Sequence, residues 1–339
     1  MSAPLAAEVL QRLVAGTDLE RAQARDALAE ILDGRVDPLV VAGFLTAVTM
    51  KGETAEEMTG FIDAMIASAT TFHIGPEAID IVGTGGDQLH TVNLSTMAAL
   101  AVAGCGVPVA KHGNRAASSS VGSADVLEGL GVRLDAPAPV VEACVRQAGI
   151  GFLFAPTFHT ALAGLTPIRR TLGFRTIFNV LGPLANPALV ERTLVGVAQR
   201  RLLEPMSRVL RARGIRHAIL VNADDGLDEL SLGSASTVYT VTPDEITTSR
   251  LDAGRILDRR HSAEVLRGGD VAANVASIRR FVAADPGPVF DVACANAALA
   301  LIVAGRATTL VQGFHQAAAS VREGRAATAL ERLIEVSNT

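Results

Sequence analysis

The run Gly83-Thr84-Gly85-Gly86-Asp87 is the sharpest chemical signal in the chain. It directly follows the β-branched run Ile79-Asp80-Ile81-Val82, and glycines at the end of a strand let backbone N–H groups close on a phosphate. Asp87 would repel a phosphate, so its carboxylate needs a cation, a ribose hydroxyl or a backbone amide as partner. The pentapeptide alone admits a phosphate cradle or a tight turn with an Asx-type hydrogen bond. Asn93-Leu94-Ser95-Thr96 follows shortly, leading into a helical stretch. Ser and Thr there are either ordinary N-caps or hydroxyls at the positive end of a helix dipole, where phosphate binds. Two such segments so close together point to a ligand with two phosphate groups.

The third segment runs from Lys111-His112-Gly113-Asn114-Arg115 through Ala116-Ala117-Ser118-Ser119, followed by Ser123 and Asp125. It supplies cations, backbone freedom and inexpensive hydroxyl donors. His112 reads as a donor, a scaffold residue or a proton carrier. In Gly226-Leu227-Asp228-Glu229-Leu230-Ser231, adjacent acids are solvated turn residues or hard oxygen ligands for Mg²⁺. Arg169, Arg170 and Arg175 mark a fifth segment, suited either to binding a small carboxylate, with Ile168 and Phe174 as an apolar wall, or to interdomain ion pairs.

These segments need a scaffold. The first seventy or so residues read as helices only, with apolar residues at three- and four-residue steps. Asp37-Pro38 predicts a helix start, and Thr54 with Glu57 a capping box. From Ala78 onward, strands are expected at 79–82, 107–110, 151–155, 193–197, 217–222 and 236–241. Helices are expected at 95–103, 124–130 and 202–213. The alternation predicts a small N-terminal all-helical domain (1–74, joined by roughly 166–190) and a large α/β domain (75–165 and 191–339) on a mainly parallel central sheet.

Composition agrees. The chain has 339 residues, 49% hydrophobic and 19% charged, with no Trp and one Tyr, which favours a large packed core over a base-stacking surface. A net charge of −5 argues against broad binding to nucleic acid or anionic membrane. Cys105, Cys144 and Cys294 lie in apolar surroundings and read as inert buried thiols. No apolar run reaches spanning length, and Glu8 and Arg12 interrupt any signal-peptide pattern, so a cytoplasmic setting is expected.

Taken in order, GTGGD, NLST, KHGNRAASSSVGSADVLEGLG, RRTLGFRTIFNVLGPLANP and GLDELS resemble the anthranilate phosphoribosyltransferases of tryptophan biosynthesis over almost the whole chain. The resemblance implies a magnesium-dependent enzyme, two Mg²⁺ ions per subunit, and a homodimer formed through the helical domain. It places phosphoribosyl pyrophosphate (PRPP) on Gly83, Gly86, Asp87, Thr91, Asn93, Leu94, Ser95, Thr96, Lys111 to Ser119 and Ser123. It places anthranilate on Gly83, Asn114 and Arg169, and metal on Ser95, Asp228 and Glu229. Departures from the family pattern are Val92 for Phe, Asn222-Ala223 for His-Gly, and Leu39 for Gln. An aniline amine is neutral and already nucleophilic, so catalysis is expected to rest on electrostatics around Lys111, Asp228 and Glu229 rather than on an obligatory base. A pyrimidine nucleoside phosphorylase is a rival, although such chains carry a further C-terminal domain. A non-catalytic nucleic-acid-binding paralogue is a second, and it would need a basic surface and degraded motifs.

Overall fold

The computed structural model describes residues 5–87, 89–116 and 121–339. It begins with four helices, α1 (Leu5–Val14), α2 (Arg21–Leu32), α3 (Pro38–Lys51) and α4 (Ala55–Ala67). Asp37 accepts from the Leu39 amide at 2.8 Å with Pro38 at the first helical position, and Thr54 and Glu57 form the capping box, both as the spacing predicts. Glu57 is fully buried, yet it accepts from the Leu19 amide (3.0 Å) and from Lys51 Nζ (2.9 Å), so its charge is paired. Phe44 and Phe61 meet edge to face at 5.9 Å inside this bundle.

The α/β part opens with β1 (Ile79–Gly83), α5 (Leu94–Gly104), β2 (Val109–Gly113), α6 (Ser123–Leu130), α7 (Ala138–Ala148) and β3 (Ile150–Phe154). Three short helices follow, α8 (Ala155–Phe158), α9 (Thr166–Leu172) and α10 (Phe178–Leu181). The chain then forms β4 (Arg192–Gly196), α11 (Leu203–Ala212), β5 (His217–Ala223), β6 (Ser236–Val241) and β7 (Ile246–Leu251). It closes with α12 (Ala253–Ile256), α13 (Val271–Val282), α14 (Pro288–Val303), α15 (Leu310–Arg322) and α16 (Arg325–Ser337). The sheet has seven strands in the order β3-β2-β1-β4-β5-β6-β7. β1 to β5 run parallel, and β6 and β7 are antiparallel additions at one edge.

Two expectations need correction. β2 occupies Val109–Gly113 rather than 107–110, which puts Lys111, His112 and Gly113 inside the sheet. Pro108 has no N–H to give the ladder, and its carbonyl instead accepts from Ile79 (2.9 Å), so regular pairing starts one residue later. β7 is absent from the expected strands, because Thr247, Thr248, Ser249 and Arg250 are all exposed and show no apolar alternation.

One face of the sheet, with Ile79, Ile81 and Val109, packs on α5 and α14. α14 is almost wholly buried and apolar apart from Asp291 and Asn296, as a central core helix should be. On the opposite face Ile177, Phe178, Val180 and Leu181 share a core with Phe44, Phe61 and Met65 of the bundle. The stretch after α8 therefore arches back onto the N-terminal helices. Among the described residues no helix is long and apolar enough to cross a membrane.

Candidate active site

The parallel strands end on glycines, and those ends build one wall of a cavity of about 290 Å³. Gly83 of β1 pairs with Gly196 of β4 in the ladder, and between them the loop after β5 lays Asp228. A Cβ on Gly83 would lie 2.9 Å from Asp228 Oδ2, and one on Gly196 would overlap the Asp228 carbonyl. Gly196 has no room for a side chain, and at Gly83 one would press on the carboxylate. The Gly85 amide donates to Asp228 Oδ2 at 2.8 Å, with Gly85 and Gly86 at φ of +62° and +81°. The acidic loop is held from behind by Asn296 of α14. Its buried amide accepts from the Leu230 N–H (2.8 Å) and donates to the Leu230 carbonyl (3.1 Å).

Charge is concentrated here without full compensation. Burial first, and then the charge of Asp87, pushes Asp228 up to about 7. Burial also raises Asp87, which shares a hydrogen bond with Asp228. Half-buried Glu229 is driven well above the carboxylate range by burial and by Asp228, against the pull of Lys111. Lys111 is 2% exposed, and its Nζ donates to the Ile81 carbonyl (2.5 Å) and to Ser95 Oγ (3.2 Å). Burial lowers its affinity for a proton, opposed by Asp80 and Glu229. These acids repel one another, which is the condition a divalent cation relieves.

α5 points its N-terminus at the same space. Asn93 is its N-cap residue but makes no capping bond, and its Oδ1 is buried without a partner among the described residues. Ser95 and Thr96 lie within the first turn and are not its caps, leaving first-turn amides at the positive end of the dipole. The segment between β1 and α5 is strapped from outside, the Val92 amide donating to the Leu266 carbonyl (2.9 Å) and the Gly268 amide to that of His90 (2.8 Å).

The facing wall comes from the arch. Arg169 is half-buried with its guanidinium 5.4 Å from the Phe178 ring centroid, and desolvation alone lowers it, with no carboxylate among the described residues to offset that. His112 sits 5.4 Å from His159 between ring centroids, and its Nδ1 meets the Gly182 carbonyl at 3.0 Å. Burial, then the neighbouring His159, pushes His112 down to about 3, so it is neutral near pH 7. That removes it as a proton donor at neutral pH.

Of the residues singled out from sequence, the cavity wall contains Gly83, Gly86, Asp87, Thr91, Asn93, Leu94, Ser95, Lys111, His112, Gly113, Asn114, Arg115, Ala116, Ser123, Arg169, Asp228 and Glu229. Thr96 stands apart, its side chain fully buried off this wall. The Arg115 guanidinium is drawn to Asp125 (3.0 Å) and Glu128 (2.8 Å). Ala117, Ser118 and Ser119 lie outside the described residues. Sequence reasoning missed Asn296, Asn179, Phe178 and Asp80. Asp80 is fully buried in β1, accepting from the His112 amide (3.1 Å) and Asn186 Nδ2 (2.8 Å), and burial raises it to about 6. An acid inside an otherwise apolar strand was the available signal.

Known proteins share this fold over nearly the whole chain. Residues 7–69 match the helical bundle domain of the glycosyl transferase family, and residues 75–327 its a/b domain. An anthranilate phosphoribosyltransferase of Thermomicrobium roseum is 45% identical over 335 residues, covering 97% of this chain and 96% of that one. The crystal structure of the Thermus thermophilus anthranilate phosphoribosyltransferase superposes with a TM-score of 0.91 at 37% identity, covering 98% and 99% of the two chains. The Saccharomyces cerevisiae enzyme, solved in complex with PRPP and Mg, gives a TM-score of 0.90 at 25% identity, with 99% of each chain covered.

Proposed function

The chain belongs to the anthranilate phosphoribosyltransferase family, and from that membership we propose that it transfers the 5-phosphoribosyl group of PRPP to the amino group of anthranilate. Pyrophosphate is the other product, and the step is the second in tryptophan biosynthesis from chorismate. The observation that carries this reading is a single cavity joining strand-end anion loops, mutually repelling carboxylates and an arginine with no counter-ion among the described residues.

The Gly83–Asp87 loop, the first turn of α5 and the segment from Lys111 to Ser119 with Ser123 receive PRPP. The uncompensated Arg169 takes the anthranilate carboxylate, with Gly83 and Asn114 beside the ring. Chemically the residues suit Mg²⁺. The donors are hard oxygens, and among the described residues no three acidic, His or Cys side chains already form a cage. An ion that keeps waters and borrows phosphate oxygens needs no such cage. Ser95 would hold one ion and Asp228 with Glu229 a second. When bound, the metal supplies charge neutralisation for departing pyrophosphate.

The anomeric C–O bond breaks and its electron pair leaves with pyrophosphate, while the amine lone pair forms the new C–N bond. The amine then sheds a proton to solvent. Lys111 and the loop amides stabilise the leaving charge, and Arg169 aims the amine. No step uses His112 as a base. The test is loss of anthranilate fluorescence on adding PRPP and Mg²⁺, abolished by EDTA, with pyrophosphate released. At saturating magnesium, D228N/E229Q lowers turnover more than H112A; the reverse ranking overturns this mechanism.

The same reading divides the chain into a helical unit, 1–74 with about 166–190, and an α/β unit, 75–165 and 191–339, in a cytoplasmic homodimer. Exposed Leu39 (83%), Met50 (83%) and Val14 (74%) on α3 and α1 support the helical face as the dimer contact.

A further inference from the structure

Arg175 makes contacts that the transfer chemistry does not explain. One of its guanidinium nitrogens donates to the carbonyls of Thr84 (3.2 Å) and Gly85 (3.1 Å), on the loop that follows β1. It packs against that loop so closely that a Cβ on Gly86 would overlap the guanidinium. Holding those carbonyls orients the peptide planes of the turn. The Gly85 N–H accordingly reaches Asp228 Oδ2, and Asp228 in turn attracts the Arg175 charge.

At its other end Arg175 is rooted in the arch. Gly173, in the left-handed conformation at φ +71°, ends α9, which bears Arg169. The Thr176 amide donates to Asn179 Oδ1 at 3.0 Å, and α10 begins there with Phe178, the ring beneath Arg169. A short stretch held at both ends therefore carries Arg169 toward the acceptor and Arg175 toward the donor loop.

We propose that Arg175 is a positioning residue that couples the two substrate sites, setting the donor loop and the Arg169 segment relative to each other so that filling one orders the other. This rests on the functional reading above. Coupling of this kind is reciprocal, so donor binding tightens acceptor binding by the same factor as the converse.

The experiment titrates the full-length protein with anthranilate, by fluorescence, with and without saturating magnesium pyrophosphate as an unreactive stand-in for PRPP. In the wild type, pyrophosphate tightens anthranilate binding about fivefold or more. In R175Q the ratio falls to near one although anthranilate alone still binds. R175K, which keeps the charge without the planar fork, falls between, and it carries the test should R175Q fail to fold. A wild-type ratio near one overturns the proposal, as does a wild-type ratio retained in R175Q, or in R175K where only that variant folds. Equal loss of anthranilate affinity with and without pyrophosphate marks a merely structural role and also overturns it. A wild-type protein that does not consume anthranilate with PRPP and Mg²⁺ sinks the functional reading instead.

Discussion

Taking a guanidinium out of water without a carboxylate beside it is unfavourable, and Arg169 sits in that situation facing the cavity. R169Q should therefore separate binding from folding. Loss of a charge-assisted pair raises the KM for anthranilate by about ten- to a hundredfold, while the melting temperature of the unliganded protein stays level or rises. A rise in KM together with a fall in melting temperature would show that Arg169 is structural. Asp228 is pushed up to about 7, and metal binds the carboxylate form only, so magnesium affinity weakens as pH falls through about 7. Binding near that pH releases protons, which calorimetry in buffers of different ionisation enthalpy detects. A carboxyl raised in the folded state favours folding below its unfolded value and loses that contribution as pH rises through its folded value. The magnesium-induced rise in melting temperature thus grows between about pH 5.5 and about pH 8, and a flat profile would contradict the assignment. Arg169, Lys111, Asp228 and Glu229 were readable from sequence because their types carry chemistry outright. Asp80 was not, since its role depends on Asn186, far along the chain, meeting it in the core.

Strand ends set the tolerances of the site. At Gly196 a methyl group would strike backbone, the Asp228 carbonyl, whereas at Gly83 it would meet a side-chain oxygen at 2.9 Å that has some freedom to turn. G196A should consequently weaken magnesium binding and turnover more than G83A, with both proteins folded by circular dichroism. Equal losses would mean that the acidic loop tolerates backbone displacement. The loops themselves were legible as motifs, but their support was not. Asn296 lies in a helix of Ala, Val and Leu whose composition says only that it is buried, and its grip on Leu230 needs the tertiary fold. Likewise β2 starts after Pro108 for a local reason, but its run to Gly113, which puts Lys111 in the strand, depends on pairing with Phe152, Leu153 and Phe154 of β3. Asn222 makes a contact of its own, donating to the Val197 carbonyl at 2.8 Å beyond the end of β4.

For the molecule as a whole, periodicity was enough to separate a helical bundle from a parallel sheet, because apolar spacing switches abruptly near Ala78. It missed β7, whose exposed threonines and arginine leave no alternating trace. Assembly is a third matter, decided by surface. Leu39 is 83% exposed on α3 together with Met50. L39E/M50E should convert the proposed dimer to a monomer in sedimentation velocity without lowering the helical signal; an unchanged dimer would place the contact elsewhere.

The arch, finally, is built on the bundle while the strand ends are built on the sheet, and the two meet around the cavity, where Arg175 grips the loop after β1. On the proposed reading Arg169 of the arch guides the amine and the strand-end loops hold pyrophosphate, with Gly83 and Asn114 beside both substrates. Variation in the arch that spares Arg175 would explore new aromatic acceptors, whereas a change at Arg175 itself would carry over to the loop that holds the leaving group.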